Sequence, residues 1–508
     1  MCDVEDLKLA ACAAIDAAKK QLNNISTEIW SKPELGFEER HAHNILTDFL
    51  ENHGFQTERS YKLETAFRAT YGSREDGPNV TFISEYDALP EIGHACGHNL
   101  IAEVGVGAGL GLMAAMKAAG KPLGQVTVLG TPAEESAGGK IDLIEAGAFT
   151  DVDVAMMAHP FPENDFRPIA LAYYGLEIVY TGKASHAAGY PWEGVNALDA
   201  AVTCYQGISF LRQQCKPDWR IHCIILEGGV KVNIIPERAR LHVTVRAPSD
   251  QEMFLLRDKV INIITSAATS TGCQVEYKLF DRPCSAMLNN GVMVDLFEHN
   301  LSRVQPPEVP TRTGSVFGST DMGNVAQVVP SIHPNFHIGG RAVNHTRDFT
   351  GDAANCLTSP AHFPFQKYPD RMFFYSFLFF FCYTLSHLGN ILPLLQHLLP
   401  ILQPLSLFRC FLFLFCITLS LFRNTLSLFC SFLFLFWNTL SLFCSIMSLF
   451  RNTLFLLCSF LFFFCSSPMA QEYTLQVMKA LAMTAVDIVT SKDRLQEIKQ
   501  AFAEGSNY

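Results

Sequence analysis

Thr81-Phe-Ile-Ser-Glu-Tyr-Asp87, followed seven residues later by His94-Ala-Cys96-Gly-His98-Asn99, decides how this chain is read. The first stretch is a short apolar run of strand length that ends in acids. The second sets a thiol and an imidazole two residues apart. A buried strand that runs into polar chemistry at its carboxyl end is how an α/β sheet presents a metal site. Glu134-Glu135, His159 and His345 each stand at the end of a further apolar run. One Cys-x-His pair is weak. Four such positions at strand ends point to water activated on metal.

Working outward, residues 5–55 read as two helices, interrupted at Ser31-Lys-Pro-Glu-Leu-Gly-Phe37. Strands are expected at 65–71, 80–84, 126–129 and 152–157, and a helix rich in Ala and Gly at 99–119. Gly105-Val-Gly107-Ala-Gly109-Leu-Gly111 suggests a nucleotide loop, but Leu110 stands where the third glycine belongs and the run lies inside a helix. That reading is rejected. The strand–helix alternation predicts an α/β catalytic domain with a mostly parallel sheet and ligands at the strand C-termini.

Residues 172–283 follow another pattern. Strands at 176–181, 220–226, 240–246 and 274–279, with helices at 196–214 and 251–270, give the order β-α-β-β-α-β. This is the ferredoxin-like arrangement, here an inserted α+β lid and dimerisation domain. The expected organisation is therefore 1–171 (catalytic domain, first part), 172–283 (insert), 284–360 (catalytic domain, second part) and 469–508 (its last helix, centred on 474–489).

Residues 361–468 do not belong to that scheme. Positions 363–464 hold 24 of the 40 Phe, and between Met372 and Pro468 the only charges are Arg409, Arg423 and Arg451. A seven-residue unit, as in Thr418-Leu-Ser-Leu-Phe-Arg-Asn424, recurs nine times from Pro404 to Ser466. Positions two, four and five are apolar with no flanking charges, so this is not a coiled-coil seam. The favoured reading is a non-native insertion, a retained intron or gene-model error. A membrane-spanning segment is the alternative, and only then is a membrane a partner. Translated, the tract is an aggregation hazard.

Across 508 residues the net charge is -11 and the pI about 5.8, which argues against nucleic-acid binding. The acidic start, Met1-Cys-Asp-Val-Glu-Asp6, is not a secretory signal. Nine of the 16 Cys lie outside the tract, irregularly spaced. That is no disulfide framework, and it points to a cytoplasmic, reducing location.

His94-Ala-Cys-Gly-His98, Gly130-Thr-Pro-Ala-Glu-Glu135, Ala158-His159-Pro160, Gly182-Lys-Ala-Ser-His186 and Asn233-Ile-Ile-Pro236 resemble the binuclear zinc metallopeptidases of the aminoacylase, carboxypeptidase and amidohydrolase superfamily, in its amidohydrolase-type branch. The resemblance covers about residues 5–352 and 470–500. It implies two divalent ions, zinc first, with manganese or cobalt as alternatives. It implies Cys96, His98, Glu135, His159 and His345 as metal ligands, with His333 and His337 competing for the place of His345. Glu134 becomes the general base, and Asp87 orients a ligand from behind. His186 stabilises the oxyanion, often across a dimer interface. Asn233 and Arg246 hold the substrate carbonyl and carboxylate.

The resemblance also implies a homodimer and short substrates: dipeptides with a basic C-terminal residue, β-alanyl-lysine among them. Cleavage of N-acyl amino acids by the same machinery is the alternative, as is an inactive product spoiled by the tract.

Each position also has a plainer reading. Cys96 and His98, on an extended turn, are also read as a buried thiol beside a capping histidine. Glu134 and Glu135, facing opposite sides, read alone as solvated acids opening a helix. His159 reads as a core histidine and Arg246 as a surface strand arginine. The superfamily's His-x-Asp is replaced by Glu85-Tyr86-Asp87, which leaves direct ligation by Glu85 as a lesser alternative. Asp321, in Gly318-Ser-Thr-Asp321, is a site-edge acid of unassigned role.

Overall fold

The computed structural model describes residues 3–136, 138–306, 308–354 and 469–505. The expected 361–468 tract lies outside them. The chain starts with helices α1 (Val4–Ser31) and α2 (Arg40–Asn52). Asp3 caps α1: its carboxylate accepts from Val4 N at 2.7 Å, and Asp6 answers by accepting from Asp3 N at 3.3 Å.

Strands β1 (Gln56–Arg59), β2 (Phe67–Gly72) and β3 (Asn79–Glu85) follow, then helix α3 (His98–Ala119) and strand β4 (Gln125–Thr131). Helix α4 (Gly139–Glu145) precedes the short strands β5 (Val154–Met156), β6 (His159–Phe161), β7 (Asn164–Asp165) and β8 (Ile169–Ala170). After the insert come α7 (Gly291–Ser302), β13 (Thr311–Arg312), β14 (Val316–Phe317), α8 (Met322–Ala326), β15 (Ser331–Ile332), β16 (Asn335–His337) and α9 (Arg347–Asp352). Helices α10 (Met469–Thr490) and α11 (Lys492–Ala503) complete the described residues.

The main sheet has the order β1-β2-β4-β3-β5-β15. β4, β3, β5 and β15 pair in parallel, whereas β1–β2 and β2–β4 are antiparallel. The sheet is thus more mixed than expected, because the polar edge strand Gln56-Thr-Glu-Arg59 carries no apolar signal. A second small sheet, β13-β7-β16-β6, was not foreseen; strands of two or three residues leave no periodic trace.

β3 is buried at every position, its polar Asn79, Thr81, Ser84 and Glu85 included, as befits a central strand covered on both faces. Helix α3 packs on it through its small residues. A Cβ at Gly105 would meet Ile83 O at 2.8 Å, one at Gly109 would meet Val128 Cγ2 at 2.3 Å, and one at Gly111 would meet Ala482 Cβ at 2.9 Å. The glycines let this helix approach the sheet on one side and α10 on the other. α3 is also the one described helix long and apolar enough to cross a membrane, yet 94% of that stretch is buried in the protein.

The insert comprises β9 (Ala172–Thr181), α5 (Ala197–Leu211), β10 (Arg220–Glu227), β11 (Arg238–Ala247), α6 (Asp250–Thr271) and β12 (Gln274–Leu279). Its antiparallel sheet has the order β10-β11-β9-β12. The element order is the expected β-α-β-β-α-β. Both helices start on side-chain caps: Asn196 accepts from Leu198 N and Asp199 N, and Ser249 accepts from Glu252 N. Leu176, Ile178, Tyr180, Leu241, Val243, Leu256 and Ile264 build a core separate from that of the main sheet.

Candidate metal centre

The buried end of β3 and the loop before α3 form the floor of the site. Cys96 and His98 do not lie on an extended turn. Gly97 between them is left-handed, with φ 83, and a Cβ there would press within 2.5 Å of Pro160 Cγ. That glycine lets the chain turn sharply, so that His98 opens α3 while Cys96 stays in the loop.

Five residues singled out from the sequence converge. Cys96, His98 and His159 form one trio, and Cys96, Glu135 and His345 a second; within each, the ligating atoms lie within 4.8 Å of one another. Cys96 Sγ is 3.4 Å from His159 Nε2, and His345 Nε2 is 3.3 Å from Glu135 Oε1. Cys96 belongs to both trios.

His345 is the distant histidine that joins. Its backbone N donates to Ala95 O at 2.8 Å, and the preceding Asn344 donates to Cys96 O and Pro160 O. Buried His333 stacks edge-on against His159 at 5.6 Å, and His337 lies against Pro162 O and Tyr473; neither enters a trio. The side chain of His345 is 55% exposed, which opens the site to solvent on that side.

Asp87 lies between His98 and Glu135. One carboxylate oxygen is 3.1 Å from His98 Nδ1, and the other accepts from Glu135 N at 2.9 Å. It fixes the ring so that Nε2 faces Glu85 and Glu135.

Glu134 does not point away from this region. It forms a third cluster with Glu85 and His98. The turn that carries Glu134 and Glu135 is held by Glu39, which sequence reasoning missed. Glu39 accepts from Ala133 N at 2.9 Å and from Thr65 Oγ1 at 2.8 Å, with Ala133 itself at φ 60. Burial raises the Glu39 carboxyl to about 7.

Electrostatics mark the site as perturbed. Burial pushes the Cys96 thiol up, and Glu135 adds to this. Burial, then Glu85, Glu135 and Asp321, push Glu134 well up. Burial opposes the charge on His98, but Glu85 and Cys96 overcome it and hold the ring well above its ordinary value. Burial, with His98 nearby, takes His159 down to about 4.

The donor set of thiol, imidazole and carboxylate suits a borderline-soft divalent ion. His98 Nε2 lies 3.0 Å from Glu85 Oε1 and 3.8 Å from Glu135 Oε1 without a well-angled hydrogen bond to either, and Glu135 Oε1 is similarly unsatisfied. Buried donor and acceptor atoms left this way fit an ion between them.

The insert supplies the remaining candidates differently. Arg246 Nη1 donates to Ser319 Oγ at 2.8 Å, two residues before Asp321, and its guanidinium lies 5.0 Å from the Tyr173 ring centroid. That places it beside the segment that carries Asp321. His186 and Asn233 are both exposed and adjoin each other: Ala187 N donates to Asn233 O, and His186 pairs with Ile234. Among the described residues, neither makes a hydrogen bond or ion pair to the ligand cluster.

Residues 81–355 match the peptidase family M20/M25/M40. The human Xaa-Arg dipeptidase is 47% identical over 369 residues, covering 70% of this chain and 85% of the relative; the mouse Xaa-Arg dipeptidase gives the same identity and coverage. Among solved structures, a Bacillus subtilis dinuclear metal binding peptidase from the M20 family superposes with a TM-score of 0.53 at 21% identity, covering 67% of this chain and 96% of its own. The chain belongs to peptidase family M20/M25/M40 and is a hydrolase of peptide bonds.

Proposed function

We propose that this protein is a metal-dependent dipeptidase that cleaves short peptides with a basic C-terminal residue. The observation that carries the reading is the pair of trios sharing Cys96. The preference for a basic residue is supported by the 47% identity to Xaa-Arg dipeptidases.

In this reading Cys96, His98 and His159 hold one divalent ion, and Cys96, Glu135 and His345 hold the other, with zinc as the best match to the donors. Such a pair supplies an acidified water and an electrophile for the scissile carbonyl. Glu134, poised in the same cavity, accepts the proton of the attacking water and returns it to the leaving amine. Asp87 keeps the His98 ring oriented. Arg246 offers its forked donors to the substrate carboxylate.

His186 and Asn233 belong to the insert and reach the carbonyl oxygen from a neighbouring copy or on closure of the insert as a lid. A homodimer is supported by the outer edge of the insert's sheet. Strand β10 is an edge strand that exposes Ile224 and Leu226, and α5 exposes Tyr205 and Phe210. A metal-binding thiol at Cys96 fits a reducing, cytoplasmic location.

A panel of β-alanyl-lysine, β-alanyl-arginine, neutral dipeptides and N-acetyl amino acids separates the readings. The expected result is kcat/KM at least about tenfold higher for the basic dipeptides, the scale of one charged contact. A preference for N-acetyl amino acids would move the protein to the amidohydrolase alternative.

A further inference from the structure

The proposed reaction leaves one buried group unused. Lys140 is fully buried in the first turn of α4. Its Nζ lies 2.5 Å from Glu85 Oε2 and 2.6 Å from Asp321 Oδ1, and its backbone N donates to Asp321 Oδ2 at 2.9 Å. A buried ammonium is costly unless paired, and this one is paired twice. Both carboxylates come from far along the chain, Glu85 from the end of β3 and Asp321 from the residue before α8.

The other oxygen of Glu85 faces the metal centre, 3.0 Å from His98 Nε2. Glu85, His98 and Glu134 form a third cluster of metal-ligand type, with Glu85 and His98 buried and Glu134 half-buried. It competes with the Cys96 trio for the same imidazole nitrogen. A lysine ammonium, however, already sits on its first carboxylate.

We propose that Lys140 is an internal cation that claims Glu85 and so prevents Glu85, His98 and Glu134 from binding a third divalent ion. Lys140 is thus a positioning residue. It acts through Glu85 and leaves His98 to the trio with Cys96 and His159, and Glu134 free to move a proton. Asp321 anchors the ammonium from the opposite side, which gives that acid a role. The inference rests on the metallopeptidase reading of the two trios.

The test counts ions rather than turnover. The full-length protein and its variants are dialysed to equilibrium against Mn2+, a hard ion that suits a carboxylate-rich cluster. Bound metal is read by atomic emission. The parent is expected to hold two ions per chain. Lys140→Met with Asp321→Asn removes the ammonium and its anchor together, so that only Glu85 is left unpaired, and should hold three. Adding Glu85→Gln should return the count to two.

A double variant that still holds two ions overturns the inference. If that variant does not fold, Glu85→Gln alone decides, because it keeps the Lys140–Asp321 pair. Two ions together with a lowered Tm support the proposal, whereas one ion makes Glu85 a true ligand and overturns it. A parent that binds neither manganese nor zinc removes the underlying metallopeptidase reading instead.

Discussion

Glu134→Gln will lose turnover by roughly 10²–10⁴-fold, the usual worth of a general base, while its metal content stays that of the parent. The side chain sits in the cavity with Glu85 and His98, and it is not a member of either Cys96 trio. The amide keeps the size and hydrogen-bonding shape of the carboxylate but cannot take a proton from water. Glu135, next in sequence, keeps its contact with His345 and its support from Asp87, so the ligands stay in place. Burial and three neighbouring acids raise the proton affinity of Glu134, as suits a group that must hold a proton between two steps. Steady-state kinetics with metal analysis on the same sample check this. Parental turnover would remove Glu134 from its role, and lost metal would make it a ligand.

The second large effect concerns the C-terminal helix. A chain ending at residue 468 is expected not to fold, whereas a chain in which residue 360 is joined to residue 469 is expected to fold and bind metal. Helix α10 packs against α1, α3 and α7 and is central to the main core. Leu475, Val477, Met478, Leu481, Val486 and Ile488 are all buried. At about 1.5–3 kcal/mol for each buried side chain, their loss rivals the ~5–15 kcal/mol stability of a whole domain.

The two flanks of the excised segment are anchored around one polar cluster. Asn99 donates to Ala353 O and to Ser26 Oγ, each at 2.9 Å. Gln471 donates to Glu103 at 2.7 Å, and Glu103 in turn is bonded to Ser26. Ala353 and Gln471 are therefore held near one point, and a short connection can bridge the described flanks. Circular dichroism melts distinguish the outcomes. An unfolded joined chain would show that the flanks need the intervening residues, and a folded truncated chain would deny α10 its place in the core.

Much of this was legible because it is written locally. The run at 80–84, built on Val80, Phe82 and Ile83, reads as a buried strand, and the Gly- and Ala-rich stretch after His98 reads as a closely packed helix. The patterns at 176–181, 220–226, 240–246 and 274–279 located the four strands of the insert, although β9 begins four residues earlier, at Ala172, and β11 two earlier, at Arg238. What was missed depends on partners distant in sequence. Lys140 follows two glycines on a short helix and reads as a solvated lysine; Asp321 lies 181 residues away, so no spacing announces the pair. Glu39 opens a surface helix and shows its function only where Ala133 turns back upon it. His345 was favoured over His333 and His337 from sequence through the resemblance alone, because what brings it to the cluster is how the loop of Asn344 is tied to Cys96 and Pro160. Cys96 and His98 read as an extended turn, yet the left-handed Gly97 between them is what separates the thiol from the helix-borne imidazole.

The central claim is that Cys96, His98, Glu135, His159 and His345 together hold two ions that the reaction needs. The most direct measurement is hydrolysis of a basic dipeptide by the purified protein before chelation, after chelation and after re-addition of Zn2+, with metal counted at each stage. The account predicts two ions per chain at the start, none and no hydrolysis after chelation, and recovery of both on re-addition. Undiminished hydrolysis by a metal-free sample would contradict it.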